Sequence, residues 1–195
     1  MSFTLAAGAL ALLTACGGNG GSMAGHEGMS SSAPAATTAS ARPSATFNDA
    51  DVMFAQMMIP HHEQAVDMAD MAPTRASDPE IKDLAAEIKA AQDPESWTMR
   101  GLLAEWGKSA SEGHMGHGMT GVLSEKEMQK LEAAKGKEFD KLFAERMIAH
   151  HKGAIEMART EQTGGSNPQA KDLAKTIETT QQAEVTQLRG ILDRL

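Results

Sequence analysis

The chain contains the same unit twice. The segment MMIPHHEQAVDMAD at 57–70 returns as RMIAHHKGAIEMAR at 146–159. At one constant offset His61 and His62 match His150 and His151, and Met58 and Met68 match Met147 and Met157. The same offset, without a gap, aligns DPEIKDLAAEIKAAQDPESWTMRGLLAEW (78–106) with NPQAKDLAKTIETTQQAEVTQLRGILDRL (167–195), so that Pro79 meets Pro168, Gln92 meets Gln181 and Glu95 meets Glu184. A unit that occurs twice has to pack against its own copy, which restricts the fold before any motif is read.

Composition makes that unit helical. Tyrosine is absent, β-branched residues are sparse, and Ala, Met, Glu, Lys and Gln dominate both copies. Asn48 or Asp49 can cap a first helix running to about Met71, where APTRASDP breaks it. Asp78 caps a second helix with Pro79 in its first turn; it reaches Trp106, and Pro94 inside it is expected to kink it. Ser124 and Glu127 form a capping box for a short lead-in helix. Gly136 separates it from a long helix over about 137–163, and Asn167-Pro168 opens the last. The expected boundaries are 48–106 for the first repeat, 107–123 for a linker and 124–195 for the second repeat. Two antiparallel hairpins bury their apolar faces best against each other, so the predicted fold over 46–195 is all-α, a four-helix bundle with internal pseudo-twofold symmetry.

At about 100° per residue, Phe54, Met58, His61, His62, Ala65 and Ala69 share one inward stripe, with Met57 and Met68 on its shoulder. Phe143, Met147, His150, His151, Ala154 and Ala158 repeat it, with Met157 on the shoulder. On the partner helix Leu84, Ile88, Gln92, Glu95, Met99 and Leu102 point the same way, and Gln181 and Glu184 recur in the second copy. Such an interior must satisfy its polar groups, because each unpaired buried one costs about 1–3 kcal/mol.

Two readings of that interior compete. In one, His, Gln and Glu close a hydrogen-bond network that fixes the register of the hairpins, and the methionines are filler. In the other, a metal ion satisfies several imidazoles at once; the duplication favours this, since a pseudo-twofold axis brings both histidine pairs to one region. Ligand softness then selects copper. Thioether sulfur is a poor ligand for Mg, Ca or Zn and a good one for Cu(I), while imidazole serves both Cu(I) and Cu(II). A di-iron centre calls for Glu-x-x-His pairs, yet Met58 and Met147 stand three residues before His61 and His150. No His-Glu-x-x-His helix is present either. On this reading Met58, His61, His62, Met68, Met147, His150, His151 and Met157 hold the metal. Gln92, Glu95, Met99, Gln181 and Glu184 support or join them. Sequestration or handover of copper to a partner is favoured over two alternatives, an oxidase-type copper enzyme in which Glu95 or Glu184 relays protons, and a structural bundle with a polar core. No catalytic residue stands out.

The formal charge of −8 excludes a nucleic-acid partner, which would need clustered Lys and Arg. The one cysteine, Cys16, closes the apolar run LAAGALALLTAC and precedes Gly17-Gly18. Leu13-Thr14-Ala15-Cys16 resembles the lipobox of bacterial lipoproteins, although the leading MSFT lacks a basic residue. The expectation is a signal peptide over 1–15, lipidation at Cys16 and a protein anchored on the extracytoplasmic face of the membrane. Residues 16–45, rich in Gly, Ser, Ala, Thr and Pro, read as a flexible tether. Within it SMAGHEGM supplies Met23, His26 and Met29, and GHMGHGMTG between the repeats supplies His114, Met115, His117 and Met119. These are read as auxiliary copper capture, weaker than the bundle site because Gly-rich His tracts bind many metals.

The twofold MIPHHEQAVDMA (58–69) and MIAHHKGAIEMA (147–158), with Gln92, Glu95 and Met99 on the partner helix, resemble the signature of the DUF305 family. The resemblance covers about Asp49 to Leu195. It implies a ferritin-like four-helix bundle and, from some members, an extracytoplasmic copper-binding protein of copper resistance. Leu188 stands where Met99 has its counterpart, so the two half-sites are expected to be unequal.

Overall fold

Side-chain caps start the helices where the sequence places them. In the computed structural model, which describes residues 46–110 and 119–195, α1 covers Asp49–Arg75, α2 Pro79–Glu105, α3 Glu125–Ala133, α4 Lys137–Gly164 and α5 Pro168–Leu192. Asn48 accepts from the backbone N–H groups of Ala50 and Asp51, and Asp51 in turn accepts from the Asn48 N–H at 2.6 Å. Ser124 forms the same reciprocal box with Glu127 at α3, and Asp78 and Asn167 cap α2 and α5 by accepting the N–H groups of Glu80 and Ala170. One boundary differs: α1 does not end at Met71 but continues through Pro73 to Arg75. A proline so near the end of a helix removes one N–H without preventing the last turn. The Arg75 carbonyl, which would otherwise lack a donor, accepts from the Gly136 N–H at 2.8 Å. α2 runs unbroken through Pro94.

The repeats form hairpins, α1 along α2 and α4 along α5, which meet through α1 against α4 and α2 against α5. Apolar side chains gather in two clusters. One joins Met68, Ile81, Leu84, Phe139, Phe143, Met147 and Leu188; the other joins Phe54, Met58, Met99, Leu103, Ala154 and Ile177. Each fully buried Phe or Leu contributes about 1.5–3 kcal/mol. Because the second cluster combines the start of α1 with the end of α4, those two helices run antiparallel. Along α1 and α4 the histidines fall between the residues that feed the two clusters, which makes a polar layer at mid-bundle.

Each repeat braces the other. Buried Asp51, at the start of α1, accepts the backbone N–H groups of Ser166 and Asn167 in the α4–α5 turn, the latter at 2.8 Å. Its repeat mate Asp140 accepts the N–H groups of Ser77 and Asp78 in the α1–α2 turn, at 3.0 and 3.1 Å, and the Ser77 hydroxyl. The symmetry of the sequence is thus a symmetry of hydrogen bonds between the two hairpins.

The chain from Met119 into α3 has no sequence counterpart ahead of α1. Gln64 on α1 pins it through both the N–H and the carbonyl of Leu123, at 2.7 and 2.9 Å. Leu123 and Leu131 then complete the apolar cluster that holds Met68. Two glycines allow the approach: a methyl group on Gly153 would stand 1.8 Å from the Thr120 carbonyl oxygen, and one on Gly121 would stand 2.9 Å from His150 Cα. Among the described residues no helix is long and apolar enough to cross a membrane.

Candidate metal centre

His61 and His150, one from each repeat, face each other with ring centroids 3.7 Å apart and planes inclined at 42°. Both are completely buried, and no ring nitrogen of either has an aligned hydrogen-bond partner among the described residues; the backbone of Thr120 near His61, and that of His61 near His150, approach the rings without that alignment and only partly oppose the effect of burial. Burial, followed by the neighbouring His62 and His151, holds His61 down to about 3. His150 lies well below the ordinary imidazole value for the same first reason, with His61, His151 and His62 adding to it. Both rings are therefore neutral near pH 7 and present free lone pairs, the form a metal ligand requires.

The second histidine of each pair turns to its own hairpin. His62 Nε2 meets the Glu95 carboxylate at 2.8 Å, and His151 Nε2 stands 2.6 Å from Glu184, close but outside hydrogen-bond alignment. Gln92 and Gln181 are buried beside this layer with both amide atoms unpartnered. Met58 and Met147, one turn before His61 and His150, are fully buried, as are Met68 and Met99. Among the described residues no three His, Cys, Asp or Glu side chains converge on one point. What the bundle brings together is one imidazole from each repeat, with thioethers on the same helical faces.

Met157 departs from its repeat mate. Met68 lies in the core under α3 and the segment before it, whereas Met157 is half-buried and lines a groove of about 340 Å³ between α1 and α4. Met119 also lines that groove, together with Met53 and Met57. Met53 faces outward and so lies off the inward stripe of α1; its i, i+4 spacing from Met57 places the two thioethers side by side on the helix. The candidates Cys16, Met23, His26, Met29, His114, Met115 and His117 lie outside the described residues.

A second titrating group borders the groove. The buried Glu161 carboxyl is pushed up to about 8, first by burial and then by the Asp51 carboxylate next to it. Asp51 is raised by burial as well, but a proton from Glu161 and the N–H groups of Asn48, Asn167 and Ser166 outweigh that and hold it low. Two carboxyls in contact share a proton near neutrality. Since Glu161 binds its proton more tightly folded than unfolded, its contribution to stability falls as pH rises from about 4.5 to about 8. The groove admits water, so the loss is expected to be on the order of 2 kcal/mol rather than the full linkage value. Urea unfolding across that range should show the decline in the parent and a flatter profile in Glu161→Gln, whose amide keeps the donor at every pH. Parallel profiles would mean that Glu161 is ionised in the fold.

An all-α bundle in which two copies of one hairpin enclose buried, unpartnered imidazoles and thioethers defines the class of protein. The chain belongs to the DUF305 family: the model described as "Domain of unknown function (DUF305)" matches residues 51–192. Among solved structures, a DUF305 fragment from Deinococcus radiodurans is 30% identical with a TM-score of 0.71, and the match covers 76% of this chain and 98% of that one. A DUF305 protein from Streptomyces coelicolor is 30% identical with a TM-score of 0.69, covering 74% and 93%. CopM in its Cu(II)-bound form is 34% identical with a TM-score of 0.66, covering 74% and 96%, and CopM has also been solved with Cu(I) and with Ag. No sequence among curated proteins matches the chain.

Proposed function

We propose that this protein binds copper as cargo on the extracytoplasmic side of the membrane and sequesters it or hands it to a partner. The observation that carries the reading is the pair of buried, neutral, unpartnered imidazoles of His61 and His150 at the meeting of the two repeats. A native interior leaves such groups unpaired when something else uses them. The residues fit the ion: imidazole with thioether from Met58 and Met147 suits Cu(I), and imidazole alone serves Cu(II). His62 and His151, turned to Glu95 and Glu184, border the same layer, and Met68, Met99, Gln92 and Gln181 surround it. The similarity to CopM, solved with Cu(I), Cu(II) and Ag, supports the same choice of metal. Lipidation at Cys16 is the anchor we propose, and an acylated N-terminal Cys16 in the mass of the mature protein is the check on it.

The test is competition against a chromogenic chelator, with Cu(I), Ag(I) and Zn(II) titrated in turn into the purified chain. Tight binding of the two soft monovalent ions, at least about 100-fold tighter than Zn(II), is expected from the donor set. Equal affinity for zinc, or no copper retained at all, would end the proposal.

A further inference from the structure

The pseudo-twofold symmetry fails at one place, and the failure is made of methionine. On the side of the bundle that holds Met68, the segment from Leu123 through α3 covers the seam between α1 and α4. At the symmetry-related side the described residues leave the seam as a groove of about 340 Å³, and four methionines line it. Met53 and Met57 come from the start of α1, Met157 from the end of α4, and Met119 from the chain entering α3. The repeat mates of Met53 and Met57 are Leu142 and Arg146, so the fold itself does not ask for sulfur there. Nor is the groove ordinary core: Met53 is 59% exposed, and Met57, Met119 and Met157 are each half-buried.

Thioethers from three separate parts of the chain meet on one open concavity and form a soft-ligand set; the carboxyls that also line it, exposed Glu156 and buried Glu161, are hard donors that a soft monovalent ion does not prefer. The groove also adjoins the imidazole layer. Thr120 lines it and stands beside the His61 ring, without hydrogen-bond alignment, and the next residue, Gly121, rests on the α4 backbone at His150.

We infer that Met53, Met57, Met119 and Met157 form a second, outer site for a soft monovalent ion, Cu(I) or Ag(I), at the mouth of the buried histidine layer. The inference rests on the copper reading of the core only for the choice of ion; its ligands are separate.

The experiment uses the full chain with ¹³C-labelled methionine methyl groups, titrated with Ag(I). The methyl signals of Met53, Met57, Met119 and Met157 should shift together within the first two equivalents. In Met53→Leu/Met57→Leu, whose substitutions lie outside the core, the shifts of Met119 and Met157 should vanish and the bound ions should fall by one equivalent. Circular dichroism confirms that the variant folds. His61→Leu/His150→Leu separates the two sites: the groove signals should still respond there. If the four methyls stay unmoved while the core binds, the outer site does not exist. If they respond while the histidine variant binds as many ions as the parent, the outer site stands and the core reading falls.

Discussion

A His61→Leu/His150→Leu variant is expected to be more stable than the parent in metal-free buffer and to lose tight copper binding. Both rings are fully buried and both leave their nitrogens unpartnered, so the metal-free fold carries their desolvation without return. Leucine is of similar volume and has no polar atom. The gain should be about 2–4 kcal/mol, since each unsatisfied buried group costs about 1–3 kcal/mol and the contact between the two rings gives part of it back. Copper should raise the melting temperature of the parent and leave the variant unmoved, because only an ion bound to the folded state shifts the equilibrium. Paired thermal melts with and without Cu(I) measure both effects. A variant less stable than the metal-free parent would make the ring pair a structural contact, and the closed polar network would then be the better account of the layer.

The second large effect concerns the braces. Asp140→Ala should destabilise the bundle by about 3 kcal/mol, because it strands the backbone N–H groups of Ser77 and Asp78 in the α1–α2 turn. Asp51→Ala should cost at least as much at pH 7, because it strands the equivalent N–H groups of Ser166 and Asn167 and also removes the carboxylate that faces the protonated Glu161. Glu161 has no counterpart at the other brace, where its repeat mate is Ala72. Urea denaturation of the two single variants decides it. A clearly smaller loss at Asp51 would show that Glu161 does not share its proton with Asp51, and a negligible loss at Asp140 would remove the brace from the account of the fold.

The helices and their order were readable because their signals are local. Asn48, Asp78, Ser124 and Asn167 cap by bonding a backbone N–H two or three residues ahead. The late end of α1 was not readable, since the donor that satisfies Arg75 belongs to Gly136, beyond another helix. The polar layer was readable in part. Helical periodicity puts His61, His62, Gln92, His150, His151 and Gln181 inside, and all six are buried. It does not say that His62 and His151 turn to their hairpin partners Glu95 and Glu184 while His61 and His150 face each other across the interface.

Asp51 and Asp140 share the repeat offset as plainly as the histidines do, yet in sequence each is only an acidic residue in a first helical turn. Their role appears when the hairpins cross and each carboxylate reaches the other repeat's turn. The methionines divide in the same way. Periodicity puts Met68 and Met157 at one angle on equivalent helices, but burial depends on what lies over that angle. The sequence alone therefore determined that two like hairpins would meet and that histidine would stand where they meet, because both follow from spacing along a helix. Only the tertiary structure decided that the segment leading through α3 would cover one seam and that the described residues would leave the other as a groove, because covering is a relation between surfaces distant along the chain. That relation buries Met68 as core and turns Met157 into one wall of a groove.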